Sequence, residues 1–269
     1  MGGNLRIIIS IDWSLAGGVT IASINLCNAF NKRGYNCIML GPHDWHLNKC
    51  NGQIGSLSDF SLDKSDIVIS HRYLKYSRLN VKKHIKTIHE MVVYGNLEYV
   101  DMAHIINEKT TKELMGQLEN VPYFIAPCII DDLVPNRKPQ DKIAGIIGRI
   151  DENKQTGISI RRALDDNFKK ILVYGLAVDS WYWEEVKKEF YNEFKDNIIE
   201  YRGVSDDKQA MYDTVTDIYI SSISETGPLV KAEAEKTGTV FHGNDQTNGL
   251  EYMDTDEIVK VWLKAMDIT

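Results

Sequence analysis

The chain has 269 residues and a formal net charge of -7, with 43% hydrophobic and 26% charged residues. This composition excludes a disordered or fibrous protein and predicts a globular one with a substantial core. The acidic balance argues against a surface that embraces nucleic acid throughout, and the length exceeds the roughly 100 to 200 residues of one domain, which favours two domains.

The first half of the chain alternates short apolar runs with helical patterns. A strand over Arg6–Ile11, a helix over Val19–Lys32 and a strand over Cys37–Leu40 form a predicted βαβ unit. Four further strands are predicted over Ile67–Ser70, Ile85–Ile88, His104–Ile106 and Tyr123–Ala126. Such alternation is typical of a parallel sheet with helices on both faces, as in a Rossmann-like domain.

A second Rossmann-like domain is predicted after a charged, proline-containing linker at Val134–Asp141. Its strands are predicted over Ile143–Ile147, Ile171–Tyr174, Ile198–Tyr201, Ile218–Ser221 and Thr239–His242. Its helices are predicted over Gly157–Ala163, Trp181–Phe194, Asp207–Thr214 and Leu229–Lys236.

The expected organisation is therefore an α/β fold of two doubly wound domains that face an interdomain cleft. Residues 1–138 would form the first domain and residues 139–269 the second. As an alternative, the last helix could pack back on the first domain. Ligands of open α/β sheets bind at the carboxyl ends of the strands, so the chemistry is expected in that cleft.

Cysteine content and hydropathy bear on the location of the protein. No membrane-span-sized apolar run of roughly 18 residues occurs, and the N-terminus lacks a cleavable signal sequence, so a cytoplasmic protein is expected. The four cysteines show neither a Cys-x-x-Cys pair nor a spacing typical of zinc sites, so they are expected to be reduced structural thiols. They are Cys27, Cys37, Cys50 and Cys128.

The segment Ser224–Gly238 is the most informative, because it leads from a predicted strand into a helix whose start would face the cleft. Pro228 suits the first helical turn, and Thr226 is expected to cap it. Gly238 suits a left-handed C-terminal cap. The helix is therefore predicted to begin near Pro228 and to end at Gly238.

The start of this helix is a predicted diphosphate site. The N–H groups of Leu229 and Val230 are expected to be the donors, because a helix N-terminus has unpaired N–H groups and a positive dipole end. Glu225 lies just before the helix and Glu233 within it. Their two carboxylates could therefore bind two sets of sugar hydroxyls of one ligand.

Two motifs resemble those of the retaining GT-B glycosyltransferases of family 4, the glycosyl transferases group 1. Glu225-x7-Glu233 resembles the glutamate motif of that family, and Gly148-Arg149-x4-Lys154 resembles its Gly-Arg-x4-Lys signature. Weaker similarities occur at other strand ends in the same order along the chain. They are Ala16-Gly17-Gly18-Val19, His89, Tyr174-Gly175 and Tyr201-Arg202-Gly203-Val204.

The resemblance implies a role for each of these residues. Glu225 would meet the donor sugar, and Glu233 would bind the nucleotide ribose. Arg149 and Lys154 would neutralise the diphosphate, and His89 would contact the sugar near its anomeric carbon. The catalytic residues implied are His89, Arg149, Lys154 and Glu225. The donor-binding residues implied are Gly17, Gly18, Gly148, Gly175, Arg202, Gly203, Val204, Gly227, Leu229, Val230 and Glu233.

The chain departs from the family pattern at three positions. Pro228 stands within the glutamate motif and cannot donate a backbone hydrogen bond, so one phosphate contact is expected to be missing. Gln155 stands where glycine usually follows the signature lysine, and Thr239 replaces the proline before the last strand.

The resemblance implies transfer of a sugar from a nucleotide-diphosphate sugar to an acceptor hydroxyl, with retention at the anomeric carbon by a hypothetical front-face attack. The donor would be a UDP- or GDP-sugar bound by the second domain, and the acceptor would be bound by the first. No metal or other cofactor is expected, because no Asp-x-Asp tract lies in a strand-end loop. The alternatives are a nucleotide-sugar 2-epimerase and a non-catalytic nucleotide-sugar-binding module. An NAD-dependent dehydrogenase is disfavoured, because no Gly-x-Gly-x-x-Gly follows the first strand.

The segment from Arg72 to Lys86 contains six basic and no acidic residues in an otherwise acidic chain. It suggests either a solvated basic surface or a site for an anionic acceptor, and the latter could be a phosphorylated glycan, a lipid surface or nucleic acid. A lipid partner would place the protein at the periphery of a membrane. The basic residues are Arg72, Lys75, Arg78, Lys82, Lys83 and Lys86.

Overall fold

The computed structural model describes residues 5–11, 17–41, 49–55, 60–71, 78–89, 97–135, 141–247 and 252–268. The chain divides into two compact units, the first formed by Met1–Asp131 with Met253–Thr269 and the second by Asp132–Tyr252. The division by contacts thus falls before residue 138, and the last segment belongs to the first unit. Of the predicted linker, residues 136–140 lie outside the described residues.

The first unit contains a seven-stranded parallel sheet. Its strands are β1 Arg6–Ile11, β2 Asn36–Leu40, β3 Gln53–Gly55, β4 Ile67–His71, β5 Lys83–Ile88, β6 Met102–Ile105 and β7 Tyr123–Ile125. Their order is β3-β2-β1-β4-β5-β6-β7. The central strands β1 and β4 are buried almost throughout, which explains why their sequences are nearly continuous apolar runs. The three-residue edge strand β3 is too short to give a periodic signal and is not predicted by the sequence.

Two helices distant in sequence cover one face of this sheet, namely α1 Gly18–Lys32 and the C-terminal helix α8 Thr255–Ala265. Trp262 and Ile258 of α8 enter the same buried core as Phe30 of α1. The buried positions of α8 recur at helical spacing and so form a single apolar stripe. The last helix is therefore part of the core of the first unit. A further helix, α2 Glu108–Leu118, packs beside β6.

The second unit contains a five-stranded parallel sheet. Its strands are β8 Ala144–Ile147, β9 Ile171–Tyr174, β10 Ile199–Gly203, β11 Asp217–Tyr219 and β12 Val240–His242, in the order β10-β9-β8-β11-β12. Its helices are α3 Thr156–Asp165, α4 Ser180–Glu189, α5 Tyr191–Lys195, α6 Lys208–Asp213 and α7 Leu229–Thr237.

Helices cover both faces of the second sheet. Ile171 and Val173 of β9 point into one core together with Ile160 of α3, whereas Leu172 points into the other core with Ala234 of α7. Successive residues of a strand face opposite sides of a sheet, so two cores require apolar residues at every position. The predicted doubly wound architecture is thus observed in the second unit.

Two details differ from the sequence predictions, and a third agrees with them. The predicted helix Trp181–Phe194 is broken at Phe190, which leaves helical geometry (φ -106°, ψ 34°) while its ring is buried. The predicted cap at Thr226 is wrong, because Pro228 is the N-cap residue of α7. The predicted left-handed cap at Gly238 is confirmed (φ 78°). Within the described residues, the helices are all too short or too polar to cross a bilayer.

Candidate functional site

The strand order of the second unit marks where a ligand would bind. The chain runs outward from β8 in one direction to β9 and β10, and in the other direction to β11 and β12. Ligands of open α/β sheets bind outside the carboxyl ends of the strands at such a reversal point. The loops that follow β8 and β11 are therefore the candidate site, and they carry the Gly148–Lys154 and Glu225 motifs.

Three glycines end neighbouring strands at this edge, and each has a positive φ. The φ angles are 149° at Gly148, 146° at Gly175 and 67° at Gly203. Gly148 N donates to the Tyr174 carbonyl at 3.0 Å, and Gly175 N donates to the Gly203 carbonyl at 2.8 Å. A Cβ at Gly175 would overlap the carbonyl oxygen of Gly148. Close backbone approach therefore requires glycine here, and it leaves the edge of the sheet without side chains.

Lys154 and Glu225, which the sequence suggests separately, form an ion pair across the reversal point. Ser222 Oγ also donates to Glu225, at 2.9 Å, and both bonds fall on Oε1. Among the described residues no side chain is bonded to Oε2 of this carboxylate, which can accept further hydrogen bonds. The carboxylate is thus held in place and keeps one oxygen for a ligand, although only 11% of the side chain is exposed.

Backbone contacts hold the two loops together beside this ion pair. Ile223 N donates to the Asn153 carbonyl at 2.8 Å, and Asn153 Nδ2 donates to the Ser224 carbonyl at 3.2 Å. Gln155, which replaces the expected glycine, adopts the left-handed conformation (φ 46°) as the N-cap of α3. A glycine-like backbone therefore persists at Gln155 despite its side chain.

Arg149 presents a second positive charge at this edge. Its guanidinium lies 3.4 Å from the Asp151 carboxylate, and 41% of the side chain is exposed. Arg149 and Lys154 line a small cavity together with Gly148, Tyr174 and other residues at the ends of β8 and β9. The cavity therefore has two cationic groups and a bare backbone, which suit an anionic ligand.

The start of α7 lies after the Glu225 loop. Its N-cap residue Pro228 makes no side-chain capping hydrogen bond, so Leu229 and Val230 begin the helix without that form of capping. Lys231 N donates to the Pro228 carbonyl at 3.0 Å. The predicted diphosphate donors therefore lie in the first turn of α7, directly after Gly227 and an N-cap residue whose side chain does not cap the helix.

Glu233 is more buried than a carboxylate in an open ribose-binding site would be. It is 1% exposed, and both carboxylate oxygens accept hydrogen bonds from the protein. Lys208 Nζ donates to Oε1 at 2.5 Å, and the Tyr212 hydroxyl donates to Oε2 at 2.7 Å. Each oxygen can accept a further bond, so contact with a ribose stays a prediction.

The β10 end presents Arg202 and Val204 beside Gly203. Arg202 forms an ion pair with Glu200, and Val204 is exposed. The Tyr201 hydroxyl donates to the Gly175 carbonyl at 2.9 Å, which fixes this strand end to its neighbour. These residues border the glycine edge, and their contact with a ligand stays a prediction.

Arg162 of α3 supports the loop that carries Glu225, a role that the sequence does not predict. Its guanidinium donates to the carbonyls of Ile220 and Gly243 at 3.2 and 2.9 Å and to Ser221 Oγ at 3.0 Å. It therefore ties α3 to the ends of β11 and β12, from which the Glu225 loop departs. In the sequence Arg162 is one of two adjacent helical arginines, which indicate only a solvated face.

The first unit holds His89, which is half-buried, at the ends of β4 and β5, beside the buried His71 and the half-buried Cys128. His71 Nδ1 lies 2.9 Å from His89 Nε2, and Cys128 Sγ lies 4.0 Å from His89 Nδ1. Burial lowers the pKa of His71 to about 3 and raises the pKa of Cys128 to about 12, so both groups are neutral near pH 7. The sequence indicates only His89, because the others are single residues far apart along the chain.

Gly17 and Gly18 begin α1, with Gly17 as an extended N-cap residue (φ -170°) that has no side-chain cap. The strand order of the first sheet reverses between β1 and β4. Gly17 precedes the helix that comes next in the chain after β1, and His71 is the last residue of β4. Ala16, predicted to belong to the same loop, lies outside the described residues. The structure therefore places the predicted glycines at an edge suited to ligands.

The predicted basic surface is not a single patch. Lys86 is 5% exposed in the central strand β5, so it cannot contribute to a surface. Arg78 and Lys83 form ion pairs with Asp101 and Asp267 at 2.7 and 2.6 Å, and Lys82 is exposed. The prediction fails at Lys86 because a buried strand, and not a solvated helix or loop, occupies residues 83–88. Two further members lie outside the described residues, namely Arg72 and Lys75.

The four cysteines are free thiols, as the sequence indicates. Among the described residues, no group of three or more His, Cys, Asp or Glu side chains is arranged to hold a metal ion.

Comparison with solved structures identifies the fold. No protein-family model matches the sequence, and a search of curated proteins found no match. Anabaena HepE, solved with UDP-glucose, is similar with a TM-score of 0.68 and 10% identity over 97% of this chain and 90% of HepE. The pneumococcal O-GlcNAc transferase GtfA, solved with UDP and GlcNAc, is similar with a TM-score of 0.71 and 10% identity over 98% and 92% of the two chains. A glycosyltransferase from Rickettsia africae gives 0.68 and 14% over 99% and 88%. The chain therefore has the GT-B glycosyltransferase fold.

Proposed function

We propose that the protein is a glycosyltransferase that uses a nucleotide-diphosphate sugar and retains the anomeric configuration. The observation that carries the proposal is the Lys154–Glu225 ion pair at the reversal point of the second sheet. It puts a cation suited to phosphate and a carboxylate suited to sugar hydroxyls side by side, next to the bare backbone at Gly148. The fold similarity to proteins solved with UDP, UDP-glucose or GlcNAc agrees with this chemistry.

The leaving diphosphate is assigned to the cationic part of the site. Lys154 and Arg149 would form charge-assisted hydrogen bonds to its oxygens, and the start of α7 would add N–H groups of Leu229 and Val230. These fixed groups would stabilise the charge that develops as the sugar departs. In this proposal no metal ion is needed, because the protein supplies the positive charge.

The sugar is assigned to Glu225 and His89. A carboxylate only accepts hydrogen bonds, and Oε2 of Glu225 is the oxygen that can accept from a sugar hydroxyl. Gly17 and Gly18 would let the ligand approach the backbone closely. No covalent nucleophile is assigned, so retention would proceed by front-face attack of the acceptor hydroxyl.

The nucleoside is assigned to the ends of β9 and β10 and to Glu233. Gly175 and Gly203 leave the edge open, and Arg202 and Val204 flank it. Glu233 would contact the ribose through the acceptor capacity that remains beside Lys208 and Tyr212. UDP is the nucleotide to test first, since HepE and GtfA were solved with UDP or a UDP-sugar, and GDP is the second.

The acceptor is proposed to be a hydroxyl compound, bound by the first unit. An anionic acceptor has less support than the sequence suggests, because Lys86 is buried and Arg78 and Lys83 are paired with carboxylates. Acceptor binding that weakens steeply with added salt would nevertheless favour an anionic acceptor.

The first experiment is a thermal-shift screen of UDP- and GDP-sugars. A ligand at about 100 times its dissociation constant adds about 2.7 kcal/mol to stability. The best donor is then incubated with candidate acceptors, and release of nucleoside diphosphate is measured. NMR of the product gives its anomeric configuration, and an inverted product would contradict the retaining assignment.

Glu225→Gln is the diagnostic variant, and Glu185→Gln is its matched control on the exposed side of α4, where Glu185 pairs only with Lys188 within the described residues. Diphosphate release should fall about 100-fold or more in the first variant and stay unchanged in the second. Binding without release in the unmodified protein would indicate a non-catalytic module. Conversion of the nucleotide sugar without an acceptor would indicate an epimerase.

A further inference from the structure

Three side chains of the first unit form a chain of hydrogen bonds that ends at His89. Ser23 Oγ, on α1, donates to the Val19 carbonyl at 2.8 Å and lies 3.1 Å from His71 Nε2. His71 Nδ1 lies 2.9 Å from His89 Nε2. Ser23 and His71 are buried, so neither can exchange these partners for bulk water.

The positions of the protons follow from the Ser23 end of the chain. A hydroxyl has one proton, and the Val19 carbonyl can only accept. With the Ser23 proton assigned to Val19, Ser23 accepts from His71. A neutral imidazole has one N–H and one accepting nitrogen, which puts the His71 proton on Nε2. His71 Nδ1 is then the acceptor, and the donor to it is His89 Nε2.

The contact between Cys128 and Nδ1 of His89 is consistent with a proton on Nε2 of His89. Cys128 Sγ, 4.0 Å from His89 Nδ1, is kept as a thiol by its burial. A thiol is a weak donor, so it can point its proton at an accepting Nδ1. The Cys128 contact is therefore compatible with the form of the His89 ring assigned from the Ser23 end.

We propose that Ser23 and His71 are positioning residues that hold the ring proton of His89 on Nε2 and make Nδ1 its accepting nitrogen. The role in catalysis rests on the proposed function, in which His89 contacts the donor sugar. The ligand group recognised at Nδ1 is then a sugar hydroxyl that donates a hydrogen bond. That hydroxyl is a stronger donor than the Cys128 thiol and would replace it when the sugar binds.

The test changes Ser23, which does not contact His89. In Ser23→Ala the His71 Nε2 proton loses its acceptor, so the His71 proton should move to Nδ1 and the His89 proton should move to its own Nδ1. In His71→Asn the side-chain oxygen should replace His71 Nδ1 as the acceptor, so the His89 proton should stay on Nε2. Ser10→Ala is the matched control, because Ser10 is a buried hydroxyl of β1 on the opposite face of the sheet.

The readout is nitrogen NMR of histidine-labelled full-length protein without ligand, at about pH 8, where an ordinary imidazole is neutral. The His89 signals are assigned by their loss in His89→Gln. The expected result is an Nε2–H form of His89 in the unchanged protein, Ser10→Ala and His71→Asn, and an Nδ1–H form in Ser23→Ala. An Nδ1–H form in the unchanged protein, or an Nε2–H form in folded Ser23→Ala, would overturn the proposal.

Kinetics separate this proposal from the proposed function. Ser23→Ala should lower kcat for transfer by about tenfold, as for one lost hydrogen bond, while His71→Asn should retain most of it. An equal kcat in Ser23→Ala and the unchanged protein would overturn the catalytic role of the proton position. If the NMR result is as expected but no donor is turned over by the unchanged protein, the hydrogen-bond chain stands and the glycosyltransferase proposal fails.

Discussion

Replacing Gly175 with alanine tests whether the glycine edge of the second sheet depends on a strained, close-packed backbone. The φ of 146° lies in a region that only glycine adopts readily, and a residue forced into it costs on the order of 1 to 3 kcal/mol. The added Cβ also overlaps the Gly148 carbonyl oxygen, so β8 and β9 must separate at their ends. Alanine gains about 0.4 to 1 kcal/mol by restricting the unfolded chain, which offsets only part of this cost. We expect Gly175→Ala to lose about 2 to 3 kcal/mol and to bind donor more weakly.

Gly157→Ala in the same unit is the matched control. Gly157 is in α3, and its added Cβ would make ordinary contacts, the nearest at 3.5 Å from Val186. Helix propensity predicts unchanged stability or a gain of up to about 1 kcal/mol. Urea unfolding followed by circular dichroism gives both midpoints, and the thermal shift with the best donor reports binding. If Gly175→Ala were as stable as Gly157→Ala and bound donor equally well, the reasoning about the glycine edge would be refuted.

Two further predictions concern the supports of the two units. Arg162→Met should destabilise the second unit by about 2 kcal/mol in urea unfolding, because two carbonyls and Ser221 lose their hydrogen-bond donor. The control Arg161→Met breaks only an exposed ion pair with Glu189 and should cost less than about 1 kcal/mol. Equal losses would contradict the supporting role of Arg162. Burial lowers the pKa of His104 to about 4. Between about pH 4 and 6.5 the unfolded chain therefore binds more protons than the folded one, and the free energy of unfolding decreases as the pH falls through that window. His104→Phe should therefore reduce the loss of stability between pH 7 and pH 5 by about 2 kcal/mol, and an unchanged loss would show that His104 is not the group responsible.

The sequence predicts the fold well where burial imposes a strong pattern. Strand β1 is predicted with its observed limits because a central parallel strand is apolar at nearly every position. The edge strand β3 has only three residues, and the break at Phe190 depends on how that ring packs, so neither is visible in a local pattern. The membership of α8 in the first unit depends on contacts between residues far apart in the chain, which an amphipathic pattern alone does not specify.

The sequence predicts the motifs of the candidate site but not the side-chain contacts that support them. Gly148, Lys154 and Glu225 are visible because each belongs to a motif with a fixed spacing. Arg162 and His71 are single residues of common types, and only the folded chain shows that they contact the motif-bearing elements. Lys86 shows the reverse error, because a basic side chain read as part of a surface is buried in β5.

The Lys154–Glu225 ion pair holds two opposite charges together at the candidate site. A partly buried charge is costly unless it is paired, and each of these two groups is the partner of the other. An ammonium has three N–H donors, so Lys154 can bind a phosphate oxygen without releasing Glu225. Glu225 accepts Lys154 and Ser222 through Oε1, so Oε2 can bind a sugar hydroxyl without releasing either. Because neither group needs to give up its partner, the proposed donor could bind both groups with little reorganisation of the ion pair.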